Sequence, residues 1–169
     1  QGRRAVTLDS VGQYVEFEMP IQSNSFAMRY SIPDSPDGKG RDATMDLLID
    51  NKKLKELPVT SRYGWYYGGY PFNNNPHDQN PHHFYDEVRT LLDKPYPKGT
   101  KVRVVVTSTS QSPTFTIDVA DFELVPPPIP QPEGSISITD PEYGCDPTGK
   151  TDITKAFQKA VDDGRNNNK

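Results

Sequence analysis

Five prolines fall within the seven residues from Pro126 to Pro132. Proline has no backbone N–H and a fixed φ, so neither a sheet ladder nor a helix can run through such a stretch. An extended polyproline II spacer is the conformation left to it. The chain must therefore fold as separate pieces on either side. Residues 126–133 read as a linker between a piece spanning 1–125 and a piece spanning 134–169.

The first piece is a series of short alternating runs. Ala5 to Leu8 is β-prone, and Gln13 to Met19 alternates polar and apolar residues, as a strand with one wet face does. Ser25 to Ile32 alternates again and stops at Pro33. Ala43 to Asp50 and Leu54 to Thr60 flank an Asp50-Asn51 turn, and Lys101 to Thr107 is the strongest strand signal. Phe115 to Val125 closes the series, and Asp86 to Asp93 reads as one helical turn or a short strand. Pro-, Gly- and Ser-rich turns separate these runs. Many short strands without a long helical pattern predict an all-β, antiparallel β-sandwich of the jelly-roll type.

Composition narrows the function classes. The longest apolar stretch is a few residues, far short of the ~20 needed to cross a bilayer, so no membrane insertion is expected. The net charge is −4, with Lys and Arg spread along the chain, which argues against a nucleic-acid partner. The single Cys145 excludes an internal disulfide. A basic and apolar secretory leader is absent from the start, so export would use a leader removed from, or lying outside, these residues.

Residues 63–85 break the rhythm of strands. Tyr63, Trp65, Tyr66, Tyr67, Tyr70, Phe72, Phe84 and Tyr85 gather there with all three histidines, His77, His82 and His83. A loop this long is usually functional or disordered, and so many rings argue against disorder. Flat rings stack on the apolar C–H faces of sugars while nearby polar groups bind the hydroxyls, a recipe shared with other small-molecule sites. Trp65, Tyr66, Tyr67, Tyr70, Asn73, His82, His83 and Asp86 are the candidate carbohydrate-binding residues. Six aromatics within residues 63–72 cannot all point inward from one loop, so about half of the eight rings are expected to be structural. The histidines lack the spacing of a transition-metal site and are read as locally hydrogen-bonded. Asp86-Glu87 is the only tight acidic pair near the loop. Glycoside hydrolysis needs two carboxylates facing each other across ~5–10 Å, which adjacent residues seldom achieve. The pair is read as solvated and bridged to Arg89 or Arg62.

The second piece offers one alternating strand, Ser135 to Thr139, and one amphipathic helix. Thr151 is its expected cap, Ile153, Ala156, Phe157, Ala160 and Val161 form its apolar stripe, and Gly164 is its expected end. A strand and a helix of three turns cannot bury a core alone. The 151–163 helix is therefore expected to pack on the sandwich, on other chains, or on the remainder of a larger protein.

Residues 2–125 resemble the β-sandwich carbohydrate-binding modules of families 6 and 35. The resemblance is carried by Gly2 to Leu8, Gly12 to Phe17, Met28 to Asp34, Asp46 to Asn51 and Asp121 to Leu124. Trp65-Tyr66-Tyr67-Gly68 and His82 to Arg89 look like the version found ahead of bacterial α-glucan-degrading enzymes, above all glycoside hydrolase family 87. Residues 134–169 resemble the opening of a right-handed parallel β-helix of the pectate-lyase superfamily, through Gly144 to Ala156. In that superfamily the helix caps the end of the β-helix, and the catalytic acids lie on later coils, so no catalytic residue carries over. The modules' structural calcium implies a metal ligand at Asp121, the match to their closing-strand Asp, although its usual partners are missing here.

These readings imply a non-catalytic polysaccharide-binding module, α-glucan above other polymers, within a larger secreted polysaccharide-degrading protein. On this reading the chain alone is not an enzyme. Two alternatives remain open: an assembly protein of an extracellular filament or surface layer, and a fragment of a glycoside hydrolase or polysaccharide lyase.

Overall fold

The computed structural model describes residues 4–166. The chain divides into two compact units at Pro126/Pro127. The first contains ten strands: β1 (Val6–Leu8), β2 (Tyr14–Glu18), β3 (Ser23–Ser31), β4 (Asp42–Ile49), β5 (Lys52–Thr60), β6 (Trp65–Tyr66), β7 (His82–His83), β8 (Asp86–Tyr96), β9 (Lys101–Val105) and β10 (Phe115–Glu123). Eight of them form two antiparallel four-stranded sheets, ordered β1-β10-β3-β8 and β2-β9-β4-β5. Successive strands cross from one sheet to the other except at the β4–β5 hairpin and around the β6–β7 ribbon, which is the jelly-roll arrangement.

Alternation along the strands builds the core. In β4, Ala43, Met45, Leu47 and Ile49 are buried, and the residues between them are half-buried. Phe26, Met28 and Tyr30 of β3 meet Val102 and Val104 of β9 and Phe115 and Ile117 of β10 in one cluster. Asp50 and Asn51 adopt φ of 45° and 68° at the β4–β5 turn, the left-handed pair that a tight hairpin requires and that Asp and Asn tolerate. A bulge between Ile117 and Val119 shifts the register of β10 against β3. Beyond it Ala120 and Phe122 pack on the core, while Asp121 and Glu123 are exposed.

β5 and β8 are the outer strands on the same side of the sandwich, and their unpaired backbone needs cover. The Tyr30 hydroxyl accepts from Thr60 N at 2.8 Å and donates to Thr60 O at 3.2 Å, tying the two sheets together. Lys55 Nζ donates to Thr90 Oγ1 at 2.9 Å and Leu91 O at 2.8 Å, closing the seam farther along. The run at Asp86 thus forms an eleven-residue edge strand, longer than its sequence suggests.

The second unit holds one helix, α1 (Thr154–Asn166). Tyr143, Cys145 and Ala160 are buried, with Ile136, Ile138, Ile153 and Ala156 packed around them. Three expectations are corrected here. Ser135 to Thr139 forms no strand among the described residues, because an alternating segment needs a partner strand and finds none. Asp152, not Thr151, serves the helix start: its Oδ1 accepts from Thr154 N at 2.9 Å and Thr154 Oγ1 at 2.6 Å. Thr151 N instead donates to Asp146 Oδ2 at 3.1 Å. The helix also continues through Gly164 rather than ending there.

Candidate functional site

The aromatic segment between β5 and β8 is an ordered ribbon. Trp65 pairs with His83 and Tyr66 with His82 across β6 and β7. Phe84 N donates to Gly64 O at 2.8 Å, and Tyr67 and Asn73 exchange backbone hydrogen bonds at 2.9 and 3.2 Å. The connecting loop contains a single 3₁₀ turn, Pro76–Asp78, started by Asn75, whose side chain accepts from His77 N. Asn73 Nδ2 donates to Asp78 Oδ2 at 2.5 Å and Asn75 Nδ2 to Asp78 Oδ1 at 3.0 Å. Gly38 lets the preceding loop lie against this one. Its φ is +71°, and a Cβ there would collide with the Asn74 carbonyl oxygen and lie 2.7 Å from Pro76 Cδ.

Because side chains alternate along a strand, the ribbon has two aromatic faces. The inner face carries Tyr67, Trp65, His83 and Tyr85 in sequence. Trp65 stacks on His83 at 5.1 Å and 28° and on Tyr67 at 6.5 Å and 20°, and His83 meets Tyr85 at 6.2 Å. This face is anchored to the sandwich. Trp65 Nε1 donates to Ile32 O at 2.9 Å, and the Tyr67 hydroxyl donates to Asp34 Oδ2 at 2.9 Å. Asp34 Oδ1 also accepts from Ser35 N and from Ser61 Oγ, each at 2.8 Å. Tyr67 is only 7% exposed. Its burial first, and then its bond to the Asp34 carboxylate, push its hydroxyl up to about 12.

The outer face carries Tyr66, His82 and Phe84, and Tyr70, Pro71 and Phe72 complete it. Together they line an open apolar cup of about 310 Å³. Tyr70 is 92% exposed, Phe84 58% and Tyr66 39%. Tyr66 meets Phe84 edge-on at 5.9 Å and 77°, and Tyr70 meets Phe72 edge-on at 6.3 Å and 87°. Phe72 lies 4.9 Å from His82. The Tyr70–Pro71 peptide bond is cis.

The eight residues expected to form one site therefore separate. Tyr66, Tyr70 and His82 meet in the cup. Trp65, Tyr67 and His83 form the inner stack and hold the ribbon in place. Asn73 fastens the loop. Asp86 lines a different cavity, a groove of about 700 Å³ in the seam between β5 and β8 that also involves Tyr30, Asp42, Thr60, Tyr63 and Arg89. Sequence reasoning missed this groove, because it is made of positions from strands far apart in the chain. Asp34 was missed too, although the Pro33-Asp34-Ser35 turn is a visible signal for a side chain that bonds local backbone.

Asp86 and Glu87 point to opposite sides of β8. Asp86 accepts from Glu87 N at 2.8 Å, and Glu87 pairs with Arg89 on the outer face. Arg62 pairs instead with Asp42, donating from Nε at 3.0 Å and from Nη2 at 2.5 Å. That guanidinium, helped by the Thr60 hydroxyl, holds the Asp42 carboxyl down to about 2. Adjacent carboxylates on one strand do not face each other across a scissile bond. Asp121 stands on the outer face of β10 beside Ala27, in a small polar cavity that includes Glu87, Arg89 and Glu123. Among the described residues no three His, Cys, Asp or Glu groups come together as a metal site.

The family model described as alpha-1,3-glucanase catalytic domain D1 matches residues 1–125. The chain belongs to that family. Among solved structures, the Agl-KA catalytic domain is 27% identical with a TM-score of 0.89, over 98% of this chain and 29% of that one. The catalytic unit of a thermostable glycoside hydrolase family 87 alpha-1,3-glucanase from Streptomyces thermodiastaticus strain HF3-3 is 38% identical with a TM-score of 0.74. That match covers 93% of this chain and 26% of the other. The catalytic domain of a family 87 alpha-1,3-glucanase in complex with nigerose shares the fold, at 20% identity and a TM-score of 0.66, over 92% of this chain and 27% of that one. No curated protein matches. The chain thus spans less than a third of these solved chains.

These matches overturn the expectation of a non-catalytic binding module. The family is a catalytic-domain family, and the solved structures are catalytic domains and units. The reading of a glycoside hydrolase fragment fits them, and that of a filament or surface-layer protein does not. The association with glycoside hydrolase family 87 stands.

Proposed function

We propose that this chain is part of the catalytic unit of an α-1,3-glucanase, which hydrolyses α-1,3-linked glucan. The observation that carries this reading is the catalytic-domain family match over residues 1–125. The sandwich provides scaffold and substrate contact, and the reacting carboxylates lie in a part of the enzyme outside these residues. In support, Asp86 and Glu87 diverge on β8, so the tight acidic pair near the aromatic ribbon lacks a hydrolytic geometry. The sandwich keeps the jelly roll of the family 6 and 35 modules in a role within the catalytic unit. The substrate is a polymer too large to enter a cell, so the enzyme works outside it.

The second unit is the start of a right-handed parallel β-helix. Phe157 and Val161 of α1 are each 48% exposed, and an apolar groove of about 350 Å³ runs beside Ile136, Ile138, Ala160 and Val161. Further coils of a β-helix would cover this groove and supply the neighbour that Ser135 to Thr139 needs to become a strand. Amide exchange at Ile136 and Ile138 is then fast in the 169-residue chain and slow in the longer enzyme.

The glucanase reading is tested by release of reducing sugar from insoluble α-1,3-glucan, comparing the longer enzyme with this chain alone. Hydrolysis by the former and none by the latter is expected. A longer enzyme that leaves α-1,3-glucan intact sinks the reading, and hydrolysis by this chain alone overturns the placement of the carboxylates.

A further inference from the structure

We propose that the cup formed by Tyr66, Tyr70, Phe72, His82 and Phe84 is a glucan-contact site that takes one or two glucosyl residues of an α-1,3-linked chain. The inference rests on the glucanase reading above and deepens it by naming the surface and the ligand chemistry.

Four observations carry it. The first is exposure on a built base. Large rings left in water over a contiguous area mark an interaction surface, and here Tyr70 and Phe84 are more than half exposed. They do not hang from a loose loop. The ribbon beneath them is fastened by Trp65 to Ile32, by Tyr67 to Asp34 and by Asn73 to Asp78. A preformed surface loses little conformational entropy when it binds.

The second is ring geometry. Both ring pairs in the cup meet edge-on, at 77° and 87°, so they do not stack their faces against each other. A pyranose offers an apolar C–H face to such rings.

The third is the polar rim. Among the described residues no hydrogen bond engages the Tyr66 or Tyr70 hydroxyl or the His82 imidazole, while the loop's own hydrogen bonds run through its backbone, Asn73, Asn75 and Asp78. An apolar protein surface seated on the cup would desolvate those three groups without partners, which is costly. Sugar hydroxyls satisfy them.

The fourth is size. About 310 Å³ lies at the lower end of the ~300–1,000 Å³ range of small-molecule sites, which suits one or two hexoses and not a folded partner.

The test is a ¹H–¹⁵N titration of the 169-residue chain with an α-1,3-linked glucotetraose, and in parallel with isomaltotetraose. Shifts centred on Tyr66, Tyr70, Phe72, His82 and Phe84 are expected, with weaker binding of isomaltotetraose. Tyr70→Ala and Phe84→Ala are expected to weaken binding about 3- to 10-fold each while leaving the remaining spectrum intact. A folded chain showing no shifts at the cup overturns the proposal, as do shifts confined to the β5–β8 groove. Unchanged affinity in Tyr70→Ala and Phe84→Ala does the same, and equal binding of isomaltotetraose overturns the assigned linkage. Hydrolysis by the longer enzyme is read separately. If it cleaves α-1,3-glucan but the cup does not bind, the cup falls and the glucanase reading stands. If the cup binds but the longer enzyme leaves the polymer intact, the glucanase reading falls and the cup stands, with its linkage preference read from the two oligosaccharides.

Discussion

Trp65 and Tyr66 are neighbours in the chain, and both lie in a two-residue strand, yet they belong to different parts of the molecule. Trp65 turns toward the sandwich, donates to Ile32 O and stacks between Tyr67 and His83. Tyr66 turns away and helps line the cup. The same contrast runs along the opposite strand, where His83 joins the stack and His82 the cup. One face of the ribbon is thus committed to holding it in place, and the other is left available. The lesson is that an aromatic-rich segment is not itself a site. It becomes one only when half of its rings anchor the backbone that presents the others.

The largest test of this contrast is stability. Trp65→Ala removes a half-buried ring and its hydrogen bond, and is expected to cost about 3 kcal/mol in urea unfolding. Tyr70→Ala, on the open face, is expected to stay within about 0.5 kcal/mol. The reverse order would break the assignment of faces.

The next effect is at Tyr67. Tyr67→Phe deletes the bond to Asp34 and is expected to cost about 1 kcal/mol. Its sign with pH follows from a hydroxyl raised to about 12 by burial and by Asp34. The Tyr67 contribution is fully present below the ordinary tyrosine value near 10 and is lost as pH rises through about 12. Wild-type stability should therefore fall toward the Tyr67→Phe value across that window, as seen in urea midpoints taken at each pH.

A comparable cost, about 1 kcal/mol, is expected for Gly38→Ala, which strains a positive-φ position and pushes on Asn74 and Pro76. Faster amide exchange from Asn73 to Gln79 with unchanged exchange in β4 would show that the effect travels through the loop under the cup. Uniform acceleration throughout the sandwich would show that it does not.

The smallest effect belongs to Asp42 and Arg62, an exposed pair on neither aromatic face. With the carboxyl held down to about 2, its contribution is present above the ordinary 3.8 and lost as pH falls toward about 2. Asp42→Asn is expected to leave the melting temperature at pH 7 nearly unchanged. Carbon-detected titration of the Asp42 carboxyl gives the direct check, and an ordinary midpoint would remove the pair from the account.

Much of the sandwich was legible beforehand. The alternation of Ala43, Met45, Leu47 and Ile49 marks one buried face, and Asp50-Asn51 marks a tight turn, because strand period and left-handed turn residues are local properties. The candidate site was legible only as a segment. The expectation that about half of its rings are structural did not say which ones, and placing Trp65 and Tyr67 on the inner face depended on knowing where the ribbon docks. That is decided by Ile32 O and Asp34, some thirty residues earlier in the chain. The function was misjudged for a related reason. A jelly roll with exposed aromatics suits a binding module and a part of a catalytic unit alike, and fold alone does not separate the two.

What the sequence determined by itself is everything set by short-range physics. The proline run divides the chain, period-two alternation makes strands, and the stripe from Ile153 to Val161 makes a helix. What only the tertiary structure decided is what depends on a distant partner. Asp86 lines the β5–β8 seam and not the aromatic cup, Ser135 to Thr139 stays out of strand because no partner strand lies beside it, and Trp65 and Tyr66 face opposite ways. Alternation tells which residues share a face, but burial of that face is a property of the surface it meets.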